Sequence, residues 1–337
     1  MKLAVVKPDH LGDLVLSRPA IAALLQVAPD LTLFVNGRVM GLAEYLFPSV
    51  EVKEFNLPHL QKDPSRALNT GAATRLLAGF QTVVFLRDDQ KVRDIASALT
   101  SETIIPEGDF QTHETQIQRA AIAGLATYGR STSVPEAVLP WPRQIETVGL
   151  CIAAGFPTNR WPELHWIELG RSLLRSHREI YIFAGPAESD VADFIGCHLG
   201  LRESRVVIGG PDYASFLSEV KRCDVVIGVD GGTAHLCSLV RPVLSIFGSS
   251  PWRRYSPFGR FNRTVSLDLF CGPCVQFSRR ELNACLTREC MGELTPDIVA
   301  QALLLPDQDQ SVGLRRGQCW FGVSHLAAGE NFRFLDD

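Results

Sequence analysis

The sequence predicts an α/β protein made of two doubly wound, Rossmann-like domains. Three observations support this: apolar, β-branched-rich runs recur along the chain, helical patterns separate them, and the alternation occurs twice around a proline-rich stretch. Such runs are typical of strands buried on both faces of a parallel sheet. The length of 337 residues also favours two domains, because one core stops growing at about 250–300 residues.

The predicted strands share a high content of Val, Ile, Leu and Phe. They are Leu3–Val6, Leu31–Val35, Thr82–Leu86, Thr147–Ala153, Ile180–Ala184, Arg205–Ile208, Val225–Val229 and Val243–Phe247. The predicted helices carry apolar residues at helical spacing. They are Asp13–Val27, Trp166–Ser176 and Tyr213–Lys221, with a further candidate around Gln116–Tyr128.

The three prolines of residues 131–142 are typical of a linker. The sequence therefore predicts one domain over residues 1–142 and a second over residues 143–306. The tail over residues 307–337 is polar and then aromatic, and no pattern assigns its structure.

Composition excludes several classes of protein. The formal net charge is −4, from 33 Lys and Arg against 37 Asp and Glu, which is unlike a strongly basic nucleic-acid binder. The 46% hydrophobic content excludes wholesale disorder. The first apolar run stops at Lys7, which is too short for a secretory signal, and no run approaches the ~18 residues of a spanning helix. We therefore expect a cytoplasmic protein, with peripheral contact to the inner face of the cytoplasmic membrane left open.

The first strand runs into a junction that ends in Leu11-Gly12-Asp13. Asp13 has two interpretations. It is the N-cap of the following helix, or it is a general base that takes a proton from an acceptor hydroxyl. His10 is a second candidate base, with a loop histidine or an acceptor contact as the alternative.

Junctions in the second half favour binding of a phosphorylated ligand. Thr158, Asn159 and Arg160 follow a predicted strand, where a hydroxyl and a cation suit a phosphate-binding turn. Glu188 follows the next strand and is either an acceptor for ribose hydroxyls or a solvated helix carboxylate.

The segment from Asp230 to His235 is the most informative junction. An apolar strand runs into Asp230, Gly231, Gly232 and Thr233, and His235 follows at the start of a predicted helix. Backbone N–H groups at such a helix start bind anions. The alternative is a plain turn, with His235 packed under the helix. A further Gly-Ser-Ser junction at residues 248–250 strengthens the prediction of a nucleotide site.

Together these junctions resemble glycosyltransferase family 9, the heptosyltransferases of lipopolysaccharide core assembly, over most of residues 1–300. The motifs that carry the resemblance are Leu11-Gly12-Asp13, Leu16-Ser17-Arg18-Pro19-Ala20, Arg160-Trp161-Pro162, Ala184-Gly185-Pro186-Ala187-Glu188, Gly228-Val229-Asp230-Gly231-Gly232-Thr233-Ala234-His235-Leu236, Phe247-Gly248-Ser249-Ser250-Pro251-Trp252 and Cys290-Met291.

The resemblance implies a GT-B fold, with an acceptor-binding first domain and a donor-binding second domain facing a cleft. It implies inverting transfer of heptose from an ADP-heptose donor to a hydroxyl of a lipopolysaccharide-core or related glycan, with no metal required for catalysis. Asp13 would be the base. The turn at Thr158, Asn159 and Arg160, together with Glu188 and the loop from Asp230 to His235, would hold the donor nucleotide.

Two positions depart from the family pattern, and both bear on the identity of the donor. Asn159 stands where many relatives have Lys, and Gly231 stands where relatives commonly have Ser or Thr. A cation and a hydroxyl are therefore missing from the donor side, although Arg160 and Thr233 lie close by in sequence.

Four of the nine cysteines, Cys271, Cys274, Cys285 and Cys290, fall close together. Their spacing suits a structural Zn or Fe site, and bacterial autotransporter heptosyltransferases are similar in having a four-cysteine iron-binding element. Reduced thiols and disulfides are the alternatives.

Two other functions stay open. One is heptose transfer to a hydroxyl of an autotransporter protein, and the other is nucleotide-sugar binding without catalysis. Arg18, Arg38, Arg66 and Arg87 are candidates for contacting a lipid-core acceptor, or are solvated surface charges.

Overall fold

The structure is a computed structural model, and it describes residues 2–60, 63–125, 139–259, 261–267, 269, 271–274, 285, 287–304, 312–316, 319–323 and 333–336. The chain divides into two compact units, Met1–Val134 and Pro135–Asp337. Most of the predicted linker and the end of the helix predicted around Gln116–Tyr128 lie outside the described residues.

The first unit contains a five-stranded parallel sheet in the order β3-β2-β1-β4-β5. Its strands are β1 (Leu3–Lys7), β2 (Thr32–Val35), β3 (Glu51–Glu54), β4 (Thr82–Phe85) and β5 (Glu102–Ile104). Its helices are α1 (Leu11–Leu16), α2 (Arg18–Val27), α3 (Met40–Leu46), α4 (Thr70–Leu77), α5 (Gln90–Ser97) and α6 (Glu114–Ala121), with short 3₁₀ turns at Gly37–Val39, Pro58–Leu60 and Pro64–Arg66.

The central strands β1, β2 and β4 are buried. Their residues are apolar, apart from Lys7, Thr32 and Thr82, whose side chains form an ion pair or a hydrogen bond. Phe34, Phe55 and Phe85 are fully buried, and burial of such side chains contributes roughly 1.5–3 kcal/mol each. The sequence prediction missed β3 and β5. Both are short edge strands with partly exposed, polar residues, so they lack the apolar run by which a buried strand is detected.

The single helix predicted over Asp13–Val27 is wrong, because the structure has two helices that meet at Ser17. Pro19 follows two residues later and has no N–H to donate to the preceding turn. Helix α1 ends with Ser17 as its C-cap, whose backbone N–H donates to the carbonyls of both Asp13 and Leu14 at 3.1 Å. The N-cap prediction for Asp13 is also wrong: His10 occupies the N-cap, and Asp13 lies inside the first turn of α1.

The second unit contains a nine-stranded sheet in the order β14-β12-β13-β11-β10-β9-β6-β7-β8. Its strands are β6 (Thr147–Cys151), β7 (Glu179–Ala184), β8 (Val206–Ile208), β9 (Val225–Val229), β10 (Val243–Phe247), β11 (Arg263–Leu267), β12 (Val312–Arg316), β13 (Cys319–Val323) and β14 (Arg333–Asp336). Its helices are α7 (Glu163–Arg175), α8 (Ser189–His198), α9 (Tyr213–Val220), α10 (Gly232–Cys237), α11 (Trp252–Tyr255), α12 (Glu289–Gly292) and α13 (Pro296–Leu304), with 3₁₀ turns at Pro157–Asn159, Pro186–Glu188 and Glu203–Arg205.

Strands β6 to β11 are parallel, whereas β13 pairs antiparallel with both β11 and β12. The tail that the sequence left unassigned thus contributes three strands to this sheet. The eight strands predicted from the sequence are all present, with ends shifted by at most two residues.

Each sheet reverses its strand order beside its first strand, between β1 and β4 in the first unit and between β6 and β9 in the second. In open α/β sheets, ligands bind outside the carboxyl ends of the strands at this switch point. The loops after β1, β4, β6 and β9 are therefore where functional side chains are expected. Among the described residues, no helix has the length and apolarity needed to cross a bilayer.

Candidate functional site

The carboxyl end of β1 carries a buried ion pair. Lys7 Nζ lies 3.0 Å from Asp9 Oδ2, and the two side chains are 3% and 4% exposed. Lys7 Nζ also donates to the Leu86 carbonyl at 2.8 Å, just beyond the end of β4. Burial lowers the pKa of the Lys7 ammonium group, but the negative charges of Asp9, Asp13 and Glu114 outweigh burial, so the pKa of Lys7 lies above its ordinary value.

Arg87 joins this pair from the neighbouring strand end. Its guanidinium donates to Asp9 Oδ1 and to Asp89 Oδ2, and His59 Nε2 lies 3.1 Å from the same Asp89 oxygen. The two cations hold the pKa of the Asp9 carboxyl below its ordinary value, despite burial that acts in the opposite direction.

Asp13 lies half-buried in α1, one turn beyond this network. Burial raises the pKa of Asp13 to about 6, the negative charges of Asp9 and Glu114 add to the rise, and Lys7 and Arg87 oppose it. A carboxylate with this pKa is mostly ionised at pH 7 and accepts protons better than an ordinary aspartate, which suits a general base.

The second unit brings together side chains from three strand ends. Asn159 Nδ2 donates to Asp230 Oδ2 at 2.7 Å and to Ser250 Oγ at 3.2 Å. Ser249 Oγ donates to Asn159 Oδ1 at 2.5 Å and lies 3.1 Å from Thr158 Oγ1. Loops that are distant in sequence are thus tied together by Asn159.

The side-chain hydrogen bonds of Asp230 are with neutral groups, those of Asn159 and Ser250. Burial raises the pKa of Asp230 to about 6, and hydrogen bonds from Ser250 and Asn159 only partly oppose that rise. Among the described residues, no Lys, Arg or His lies within ion-pair distance of Asp230. Asn159 supplies Asp230 with a hydrogen bond but no positive charge, because its side chain is a neutral amide.

Four other predicted donor-binding residues follow Asp230 directly in the sequence. Gly231 lets the backbone pass close to the segment that follows β6, since a Cβ there would lie 2.7 Å from the Ala153 carbonyl oxygen. Gly232 begins α10, Thr233 is half-buried and His235 is 4% exposed. The two remaining predicted residues lie apart from the Asn159 hydrogen bonds: Arg160 is exposed, and Glu188 is half-buried at the end of the 3₁₀ turn after β7.

The Arg160-Trp161-Pro162 motif also has a structural role. Trp161 is 3% exposed, and its Nε1 donates to the Leu294 carbonyl at 2.7 Å. Its ring packs edge-on against that of Trp166, with the ring centroids 4.8 Å apart. This anchoring fixes the turn that carries Thr158 and Asn159.

The four clustered cysteines are free thiols in the structure. Burial raises the pKa of Cys290 to about 11, and Cys274, Cys285 and Cys271 add to the rise, so all three lie close enough to influence its charge. Within the part of the chain that the structure describes, no three His, Cys, Asp or Glu side chains are arranged to hold a metal ion. The Zn or Fe site therefore stays a prediction.

The four arginines proposed for acceptor binding have different surroundings. Arg87 is bound by Asp9 and Asp89, Arg66 pairs with Glu54 at 2.5 Å, and Arg38 is exposed. Burial lowers the pKa of Arg18.

Sequence reasoning missed the roles of Lys7, Asp9, Arg87 and Glu114 beside Asp13. The available signal was positional: Lys7, Asp9 and Arg87 each lie at or just after the carboxyl end of a predicted strand, where functional residues gather. Ser249 and Ser250 were noted as part of a junction but not as partners of Asn159.

Comparison with known proteins identifies the family of this chain. The family model for glycosyltransferase family 9 (heptosyltransferase) matches residues 99–284, more than half of the chain. Lipooligosaccharide heptosyltransferase 2 of Campylobacter jejuni is 25% identical over 165 residues, which cover 46% of this chain and 50% of that protein. The chain thus matches about half the length of this curated relative.

Solved structures show the same fold. A family 9 glycosyl transferase from Veillonella parvula has a TM-score of 0.68 at 16% identity, covering 90% of this chain and 97% of the other. Escherichia coli ADP-heptose lipopolysaccharide heptosyltransferase II has a TM-score of 0.60 at 15% identity, covering 92% and 100%. The expected GT-B class of two Rossmann-like units is confirmed by these likenesses. With its family-model match, its fold and its strand-end motifs in agreement, the chain belongs to glycosyltransferase family 9, the heptosyltransferase family.

Proposed function

We propose that this protein transfers heptose from an ADP-heptose donor to a hydroxyl of a lipopolysaccharide-core or related glycan acceptor, with inversion at the anomeric carbon. The observation that carries the proposal is the half-buried Asp13, whose pKa of about 6 leaves it ionised and basic near neutral pH. Family membership and the ADP-heptose named for the Escherichia coli neighbour support the choice of donor. A lipid-core acceptor would place the reaction at the inner face of the cytoplasmic membrane.

The proposed reaction is a single displacement. Asp13 takes the proton of the acceptor hydroxyl as its oxygen forms a bond to the anomeric carbon of the heptose. The bond from that carbon to the β-phosphate oxygen breaks, and ADP leaves with the electron pair. Attack on the face opposite the leaving group inverts the configuration.

In the donor site we assign different roles to neighbouring residues. Asn159 positions Asp230, because its amide already bonds to Asp230, Ser249 and Ser250. The backbone from Gly231 to Thr233 and the exposed Arg160 would face the diphosphate. Glu188 would accept hydrogen bonds from ribose hydroxyls, and His235 would support the loop from beneath.

The test is Asp13→Asn, which keeps the size of the side chain and removes the base. We expect transfer to fall at least ~10²-fold, with ADP affinity measured by calorimetry unchanged within about twofold. Asp88→Asn is the matched control, because Asp88 binds the exposed Arg93 and belongs to the same unit. Full activity in Asp13→Asn would refute the assigned base, and a preference for UDP- or GDP-sugars over ADP-sugars would refute the donor.

The acceptor is tested separately with heptose-deficient lipopolysaccharide core and with an autotransporter protein. Transfer to the core alone supports the proposal. Transfer to the protein alone would instead establish the protein O-heptosyltransferase alternative. Tight ADP binding without transfer to either would point to a non-catalytic nucleotide-sugar-binding protein.

A further inference from the structure

The ends of β1 and β4 meet beside Asp13. The two strands are parallel neighbours, and the Leu86 backbone N–H extends their ladder by donating to the Val6 carbonyl at 2.9 Å. Arg87 therefore emerges next to the loop that carries Asp9. This places an arginine from one strand end against an aspartate from the other, although 78 positions separate them in the chain.

The carboxylate of Asp9 is shared between two cations. Lys7 contacts Oδ2, Arg87 contacts Oδ1, and the Asp9 residue is 3% exposed. Removing one partner from a buried ion pair leaves charge that water cannot solvate. Without Arg87, the Asp9 Oδ1 oxygen would lose this partner, and Lys7 would be the one cation left beside Asp9 among the described residues.

Arg87 is itself held in place. Its Nε donates to Asp89, which also caps α5 by accepting the Val92 N–H at 3.0 Å, and His59 lies 3.1 Å from the same carboxylate. With carboxylates on two sides and 25% exposure, the guanidinium is fixed within the unit. This arrangement favours an internal role for Arg87 over the binding of an acceptor.

Four charged groups act on Asp13, and they come from three parts of the unit. Lys7 and Asp9 come from β1 and the loop after it, Arg87 from the end of β4, and Glu114 from α6. Asp9 and Glu114 are negative, whereas Lys7 and Arg87 are positive, so their charges balance. Without Arg87 the surroundings of Asp13 have a net negative charge.

We infer that Arg87 is a positioning residue for the transfer step: by binding the second oxygen of Asp9, it holds Asp9 against Lys7 and maintains the charge balance around Asp13. This inference rests on the proposed function, because it takes Asp13 as the base. Arg87 acts through Asp9 and in this way sets the pH range over which the base is ionised.

The test is the pH dependence of kcat/KM in Arg87→Gln. A base acts only when deprotonated, so kcat/KM falls on the acidic side of the pH profile as Asp13 becomes protonated. A more negative environment raises the pKa of Asp13, so this acidic limb should move up by about half to one pH unit. This corresponds to a loss of about two- to fivefold at pH 6 and almost none at pH 8. Arg87→Lys, which keeps the charge, should restore most of the wild-type limb.

Two further variants separate this effect from structural damage. Asp9→Asn removes the anion and leaves Lys7 and Arg87 unopposed, so the limb should move in the opposite direction, to lower pH. Arg93→Gln removes an arginine of the same region that binds Asp88 at the surface, and its limb should not move. Damage alone would lower activity at every pH without shifting the limb.

The pKa of Asp13 can also be followed directly by NMR of its labelled carboxyl carbon, assigned with Asp13→Asn, which needs no activity. An upward shift in Arg87→Gln and a downward shift in Asp9→Asn support the inference. If Asp13→Asn is inactive but Arg87→Gln and Asp9→Asn change neither the acidic limb nor the titration of the Asp13 carboxyl, the role of Arg87 is overturned while the proposed base stands. An active Asp13→Asn would instead refute the proposed base.

Discussion

Replacement of Asp230 by Asn should stabilise the second unit at neutral pH and weaken donor binding. The pKa of Asp230 is raised by burial from 3.8 to about 6, a difference of about 2 units. At 1.36 kcal/mol per unit, the buried carboxylate costs the folded state about 3 kcal/mol when ionised. Asparagine avoids this cost but accepts hydrogen bonds with one oxygen instead of two, a loss of about 1 kcal/mol.

The sign of the effect depends on pH. Between pH 3.8 and about 6 the folded state holds a proton on Asp230 that the unfolded state has released, so wild-type stability falls as pH rises through this window. Above it the penalty is complete, and Asp230→Asn should be more stable by about 2 kcal/mol. Near pH 4 most of the penalty is gone, and the variant should be less stable by about 0.5 kcal/mol.

The sequence provides a selective assay. All five tryptophans lie in the second unit, so urea unfolding followed by tryptophan fluorescence reports on the unit that contains Asp230. Asp190→Asn is the control, because it makes the same chemical change at an exposed position of α8 and should alter stability by less than about 0.5 kcal/mol. Equal differences from wild type at pH 4 and pH 8 would refute the reasoning, because only a change of ionisation reverses the sign.

Three further outcomes are expected. Gly231→Ala should weaken ADP binding at least ~10-fold in calorimetry, because its Cβ would lie 2.7 Å from the Ala153 carbonyl oxygen, and unchanged affinity would contradict the close packing. Trp161→Phe should cost about 1–3 kcal/mol in urea unfolding followed by circular dichroism, since a buried carbonyl loses its donor, and a loss below 0.5 kcal/mol would be at odds with that bond. If the cysteine cluster binds Zn or Fe, elemental analysis of protein purified without chelator should find the metal in wild type and in Cys197→Ser but not in Cys274→Ser. Metal-free wild-type protein would remove the metal hypothesis.

Much of the fold could be predicted from the sequence, because fully buried parallel strands are continuous apolar runs. Leu3–Lys7, Val225–Val229 and Val243–Phe247 were located to within one residue for this reason. Edge strands such as Glu51–Glu54 were missed because their partly exposed residues need not be apolar. The helix break at Ser17 was missed because the apolar spacing continues across it.

The candidate site was predictable in part. Asp13 and Asp230 stand in recognisable motifs at strand ends, so they were identified without knowledge of the tertiary structure. Their environments were not, because the pKa of each depends on burial and on neighbours from other strands. Asn159 follows a predicted strand and is recognisable as a candidate from the sequence, but its hydrogen bonds to three side chains depend on the fold.

Apolar runs and strand-end motifs are local properties of the chain, so the sequence was enough to predict the family, the two α/β units and the loops in which functional residues are expected. The tertiary structure alone decided which loops meet. It paired Arg87 with Asp9 across 78 positions and Asn159 with Asp230 across 71. The physical reason is that strand order, here β1 beside β4 and β6 beside β9, comes from packing of the whole sheet, and these charge and hydrogen-bond pairings follow from that order.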